Sequence, residues 1–273
     1  MRVTFWGVRG SIAVSGEDFL QTGGHTTCVE LEHDGQKLII DGGTGLKRLG
    51  DSLKGMPLEA TLLFTHVHWD HIQGLPFFSP AFHPASSIKI VGVSRSGWHF
   101  KEILSLQMTP PTFPVPLAVL QGIKGYDDYP ADGTLKIGPF TITALDQKHP
   151  DGIVVYLVEA GGKKVLFATD VEHGGESIDP QLVALAQDCD LLIHDAQYLE
   201  DEYYGKKGPS RKGWGHCMWT EAVRLAQMAN VKQLALFHHD PNRNDAAVNE
   251  IENQAQQIFK NSFAARENHI IEV

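Results

Sequence analysis

The segment THVHWDHIQGLPFF, residues 65–78, follows the apolar run Leu62-Leu63-Phe64 and places His66, His68, Asp70 and His71 within six residues. His66 and His68 alternate, so on an extended chain they face the same side. Asp70 and His71 follow on a turn and can face a second point. One cation could take His66 and His68, and a neighbouring one Asp70 and His71. Imidazole and carboxylate donors suit Zn²⁺, Mn²⁺ or Fe²⁺. The bland reading is a set of surface histidines near a turn. The spacing and the flanking Gly74-Leu75-Pro76 speak against it.

Short β-like runs and helical patterns alternate around this segment. VTFWG opens the chain, and TTCVELEHDGQKLIIDGG reads as two strands joined at Asp34-Gly35. A helix is expected over TGLKRLGDSLKG, with Leu46, Leu49 and Leu53 at helical spacing, Thr44 as N-cap and Gly55 as stop. ATLLFTH reads as a short buried strand. Residues 94–133 carry Pro110, Pro111, Pro114, Pro116 and Pro130 and read as irregular, with a short helix around Trp98–Leu106. That segment suits a lid or substrate wall, or a merely structural loop. Strands are expected in GTLKIGPFTITAL, GIVVYLVEAGGKKVLFATD, CDLLIHD, KQLALFHHD and HIIEV, and a helix in TEAVRLAQMAN. A last helix, NDAAVNEIENQAQQIF, puts Val248, Ile251, Ala255 and Ile258 on one face.

Two internal echoes stand out. GQKLIIDGG and GKKVLFATD both run from glycine and lysine through an apolar stretch to Asp41 or Asp170. Three apolar runs, LLFTH, DLLIH and LALFH, end in histidine, as if strand ends converge on one site.

The chain has 273 residues, 42% of them hydrophobic, which suits one domain over 1–273 with a buried core. Its 33 acidic and 23 basic residues give a formal charge of −10. Proteins that grip long nucleic acid usually carry the opposite sign, so no such partner is expected. A small phosphorylated substrate is compatible, because a metal cluster reverses the field locally. The three cysteines, Cys28, Cys189 and Cys217, form no Cys-x-x-Cys and read as reduced thiols of a cytoplasmic protein. Cys217 abuts His216 and reads as a small buried residue. No targeting segment or membrane-spanning run is visible, and no membrane partner is expected. A homodimer is compatible with the sequence but not derivable from it.

His-x-His-x-Asp-His after a buried strand resembles the signature of the metallo-β-lactamase superfamily, with the later motifs in matching order over most of the chain. The resemblance implies an α/β fold, a four-layer αββα sandwich with mixed sheets. It implies one metal site of His66, His68 and His149 and a second of Asp70, His71 and His238, bridged by Asp170. His239 rivals His238, which follows its strand directly. As bland alternatives, His149 is a loop histidine and Asp170 a turn cap. Asp41 resembles an aspartate that orients a ligand imidazole through its other N–H, or is a tight-turn residue. HDAQY, with Asp195, and GWGHCMWTEA, with His216, resemble the phosphodiesterase branch that includes ribonuclease Z and the cyclic-phosphate diesterases. FWGVRGS and GGHTTCVEL resemble a bacterial subgroup described as phosphoribosyl cyclic phosphodiesterase-like or cyclic-nucleotide diesterase-like. His25 stands where that subgroup has Asn.

Ribonuclease Z itself fits poorly. Its tRNA-gripping arm lies between the motifs matched by His149 and Asp170, which 20 residues join here. It also carries Glu at the position of Asp195. The expected activity is therefore hydrolysis of a small phosphodiester, a cyclic nucleotide or cyclic phosphate, with two divalent cations, Zn²⁺ foremost and Mn²⁺ or Fe²⁺ as alternatives. Two-metal chemistry implies in-line attack by a hydroxide shared between cations about 3.5–4 Å apart. Asp70, Asp195 and His216 are the expected catalytic residues, His216 protonating the leaving oxygen. Arg9 and Lys212 steer phosphate or are surface charges, and His173 reads as surface. Rival readings are a thioester or lactone hydrolase of the glyoxalase II type, a non-catalytic metal-binding module and an RNA-processing nuclease.

Overall fold

The computed structural model describes residues 1–95, 97–175 and 177–273. Two seven-stranded sheets face each other. The first uses β1 (Arg2–Gly7), β2 (Cys28–His33), β3 (Gln36–Ile40), β4 (Glu59–Leu63), β5 (Ser87–Gly92) and β6 (Ile123–Asp128). The second uses β7 (Gly133–Ile137), β8 (Phe140–Gln147), β9 (Ile153–Ala160), β10 (Lys163–Ala168), β11 (Leu191–Asp195), β12 (Leu234–Phe237) and β13 (Ser262–Ala264). The last strand, β14 (Ile270–Glu272), returns to the edge of the first sheet beside β1.

Each sheet is half antiparallel and half parallel. β3 and β10 are the central strands, antiparallel to β2 and β9 on one side and parallel to β4 and β11 on the other. The two echoing sequence runs are therefore structural counterparts. Asp41 follows β3 directly, Asp170 follows β10 after Thr169, and both share a left-handed backbone, φ 62° and 55°. His238, after β12, has φ 58°. Non-glycine residues rarely adopt this region, and its recurrence at three strand ends marks where the chain is held for function.

The period of two in the strands sorts their side chains between layers. Leu38 and Ile40 of β3 face Val165 and Phe167 of β10 in a core between the sheets, with Phe5, Tyr156 and Phe237. The alternating Ile39 packs outward on Leu46 and Leu49. Leu166 and Ala168 pack outward with Leu182, Leu225 and Ile251. These outer faces are covered by helices: α1 (Thr44–Ser52), the short α2 (Trp69–Ile72) and α3 (Ser79–Phe82), and α4 (Phe100–Gln107) on the first half; α5 (Pro180–Ala186), the short α6 (Glu200–Tyr203), α7 (Trp219–Met228) and α8 (Asp245–Ile258) on the second. This is the expected four-layer αββα sandwich.

Several local expectations change. Gly43, not Thr44, is the N-cap of α1. Thr44 Oγ1 accepts from Thr26 N, and Thr26 Oγ1 accepts from Thr44 N, each at 2.8 Å, so a tertiary pairing replaces the local cap. The helix expected near Trp98 starts at Phe100, whose N–H donates to Asp128 Oδ1 at 2.8 Å from β6. β6 is itself ordered by parallel pairing with β5, so residues 94–133 are less irregular than their prolines suggest. Val248, Ile251 and Ala255 are buried as expected, but Ile258 ends α8 with 52% of its surface exposed. The three cysteines are free and buried.

Candidate metal centre

The ends of β3, β4, β10 and β12 meet at one edge of the sandwich. Across it, Tyr156 Oη donates to Phe64 O at 2.8 Å, and Val154 N donates to Thr65 O at 3.2 Å. These bonds fix the start of the histidine segment against the opposite sheet. A single helical turn, α2, then carries Asp70 and His71 back into the interior, where they are 6% and 0% exposed.

Two donor groups result. His66, His68 and His149 form one: His149 Nε2 is 3.1 Å from His68 Nδ1, and the His66 ring lies 4.5 Å from His68 and 5.0 Å from His149. Asp70, His71, Asp170 and His238 form the other. Asp170 Oδ2 is 3.2 Å from Nε2 of both His71 and His238. His238 Nε2 is also 3.2 Å from Asp70 Oδ2. The second oxygen of Asp170, Oδ1, is 3.9 Å from His66 Nε2, so this carboxylate stands between the groups.

The ring nitrogens pointing away from the centre are tied to acceptors. His71 Nδ1 donates to Asp41 Oδ2 at 2.8 Å, His149 Nδ1 to Gly215 O at 3.0 Å and His238 Nδ1 to Gln197 Oε1 at 2.8 Å. His66 Nδ1 is 3.0 Å from Thr65 Oγ1, whose hydroxyl donates to Asp41. Such bonds fix the tautomer and aim each Nε2 lone pair inward. Buried Nε2 atoms of His66 and His71 find no hydrogen-bond partner. Orphaned inward nitrogens beside buried carboxylates are what a divalent cation satisfies, and the all-nitrogen-and-oxygen donor set fits Zn²⁺, Mn²⁺ or Fe²⁺.

Electrostatics point the same way. Burial pushes the His66 imidazole well below its ordinary pKa, helped by the other imidazoles, so it stays neutral and free to donate its lone pair. Burial opposes charge on His71, but Asp170, Asp70 and Asp41 overcome it and drive its pKa well up. Burial likewise opposes ionisation of Asp70, but His71 and His238 outweigh it and hold the carboxyl well below the usual range. The carboxylates therefore demand a positive charge at their centre.

Beside them, His216 Nδ1 donates to Asp195 Oδ2 at 2.9 Å, and the ring stacks on His238 with centroids 5.0 Å apart. Asp195 is oriented by the N–H groups of Gln197 at 3.0 Å and Asp170 at 3.2 Å. Burial works against a charged His216, but Asp195 and Asp170 prevail and raise its pKa to about 9. His216 lines an open cleft of about 520 Å³ with Ser11, Val67, His68, Trp69, Asp70 and Asp170.

All seven expected donors thus converge, with Asp195 and His216 alongside and Asp41 behind His71. His238, not His239, faces the centre; His239 Nε2 donates to Ala265 O at 3.0 Å, and burial pushes its pKa to about 3. Of the three strand-end histidines, His194 turns away: its Nε2 lies 3.1 Å from His173 Nε2. His173 is buried there rather than on the surface. Arg9 is no surface charge either. It is fully buried, with its guanidinium on the carbonyls of Gly23 at 2.8 Å, Asp240 at 3.3 Å and Arg243 at 2.6 Å. His25 Nδ1 is 3.2 Å from Thr44 Oγ1 and joins neither donor group, and Lys212 is exposed. Trp69 is 80% exposed on the cleft wall.

Two residues at the centre went unread in the sequence. Ser11 N donates to Asp70 Oδ2 at 2.7 Å, from a left-handed backbone of φ 64°. Its neighbour Gly10 passes so close to His238 that a Cβ would sit 2.4 Å from the ring. Gln197 is the acceptor for His238. The signals were present in VRGS and HDAQY, but nothing local assigns these residues to an imidazole or carboxylate elsewhere in the chain.

Fold and centre together define a metal-dependent hydrolase. A family described as the beta-lactamase superfamily domain matches residues 38–239, and the chain belongs to it. A ribonuclease Z from Haloarcula marismortui is 24% identical over 95% of this chain and 92% of its own length. Among solved structures, the metallo-beta-lactamase fold protein YhfI from Bacillus subtilis superposes with a TM-score of 0.73 at 20% identity, covering 100% of this chain and 98% of that one. Zn²⁺-bound PqqB from Methylobacterium extorquens does so with 0.74 at 15% identity, over 100% of both chains.

Proposed function

We propose that the protein hydrolyses a small phosphodiester, a cyclic nucleotide or cyclic phosphate, with two divalent cations, Zn²⁺ foremost. His66, His68 and His149 would hold one; Asp70, His71 and His238 the other; Asp170 would bridge. Such ions, when bound, polarise phosphoryl oxygens and lower the pKa of water from about 15.7 to near 7. The residues around them have separate tasks. Ser11 N–H orients Asp70, Gln197 orients His238, and Asp41 orients His71. His216 protonates the leaving oxygen through Nε2, since Asp195 occupies its Nδ1. That anchored His216, on the cleft beside Asp170, is the observation that carries the reading, because a poor alkoxide leaving group needs a positioned acid. A thioester has a better leaving group and gives this pair no task.

The chain works as one unit over 1–273. Its three buried thiols agree with a cytoplasmic setting. Among the described residues no helix is long and apolar enough to cross a membrane.

A second reading has specific support. The relative named ribonuclease Z matches nearly end to end, so the comparisons lend nothing to the expected exclusion of long RNA. Against RNA stand the formal charge of −10 and the tight β9–β10 hairpin between His149 and Asp170. Metal-loaded protein should turn over bis(p-nitrophenyl) phosphate and a 2′,3′- or 3′,5′-cyclic nucleotide in preference to precursor tRNA. Preferred cleavage of precursor tRNA establishes the second reading, and turnover of a thioester alone overturns both.

A further inference from the structure

Val93, Arg95, Trp98, Ile103 and Leu106 help build a second concavity, of about 240 Å³, against the metal centre. Its walls are Val67, Val93, Trp98, Ile103 and Leu106, and it borders His66 and His68. Trp98 and Leu106 leave 48% and 56% of their surface exposed. Single exposed apolar side chains are ordinary; several sharing one hollow beside the imidazoles of His66 and His68 mark a candidate binding site.

Polarity at the rim selects against an anionic occupant. Arg95, the strong cation of the lining, is already paired, with Nη2 2.5 Å from Asp146 Oδ1. The other charge is the exposed Asp151, 3.8 Å from His68 Nε2, which repels anions. A second phosphate would therefore find no free partner here. The volume sets the size: an apolar cavity of about 150 Å³ holds a benzene ring, so about 240 Å³ admits two fused rings. Val67 and His68 line both this hollow and the cleft containing Asp70, Asp170 and His216, so a group bonded to the reacting phosphorus can reach it.

We propose that this hollow is a specificity subsite for an uncharged aromatic group, of one or two fused rings, carried by the phosphodiester. A purine or aryl ester fills it, whereas an alkyl ester leaves it empty. This rests on the phosphodiesterase reading above, and the test separates the two. Three diesters sharing a p-nitrophenolate leaving group, with methyl, phenyl or 1-naphthyl as the retained group, are given to the metal-loaded enzyme. The expected kcat/KM rises along that series, by about tenfold or more overall. Leu106→Asp and Trp98→Ala, both at exposed positions, each reduce the naphthyl-to-methyl ratio by about fivefold or more. In parallel, 1-naphthol binding is followed by its fluorescence, and both variants weaken it. A flat series in the wild type, or variants that alter neither ratio nor naphthol binding, overturns the subsite. If no diester is hydrolysed yet naphthol binding depends on Leu106 and Trp98, the subsite stands and the phosphodiesterase reading falls.

Discussion

His216 stands on the cleft and Asp41 behind a donor imidazole, so variants at the two positions test the proposed proton transfer and metal holding separately. His216→Ala should lower turnover of a cyclic nucleotide, which has an alkoxide leaving group, by about 10²–10⁴-fold while metal content, measured by mass spectrometry, stays at the wild-type level. Loss of metal in that variant would instead make His216 a ligand. Asp41→Asn should weaken metal affinity by about 10–100-fold, read by chelator competition, because His71 and Thr65 lose their shared acceptor. His173 gives a pH signature outside the metal centre. Burial, with His194 and Arg224 nearby, holds its pKa down to about 2, against about 6.5 in an unfolded chain. The unfolded state thus takes up the proton first. Its contribution is complete above pH 6.5 and is lost as the pH falls toward the folded value. Between pH 7 and 5 the metal-loaded wild type should lose about 2 kcal/mol more stability than His173→Gln, by urea denaturation at both pH values.

The N-terminal arm after β1 is the element that the sequence concealed most. Its centre, Arg9, is 0% exposed, and burial lowers its pKa to about 10 even though Asp245, Glu267 and Asp240 raise it. Its carbonyl partners on Asp240 and Arg243 lie 231 and 234 residues away, beyond any local pattern. Arg9→Met should cost about 3–5 kcal/mol in urea unfolding, since it leaves the carbonyls of Gly23, Asp240 and Arg243 without their donor. It should also lower activity in the folded fraction, because Ser11 then no longer holds Asp70. By contrast, β3, β9, β10 and β12 were legible: apolar runs bounded by turn residues specify strands from within. The starts of α1 and α4 were not, because Thr26 and Asp128, on distant segments, decide where those helices begin.

For the molecule as a whole, the formal charge of −10 opposes a polyanion. Phosphate contacts by cationic side chains make RNA binding fall steeply with salt. Precursor tRNA should therefore compete poorly with a cyclic nucleotide at low salt, and kcat/KM for the small substrate should change little as salt rises. Tight, salt-sensitive competition would favour the nuclease reading.

Four of the seven candidate donors, His66, His68, Asp70 and His71, were legible from side-chain type and spacing within six residues, whereas His149, Asp170 and His238 were expected only from the family resemblance. The four-layer sandwich was expected from the family resemblance, whereas the apolar runs at β3 and β10 by themselves specify only buried strands. Three matters were left to tertiary structure: the choice of His238 over His239, the burial of Arg9 and His173, and the apolar hollow beside His68. Each depends on distances between segments far apart in sequence. Such distances exist only once the two sheets have packed and water has been excluded between them.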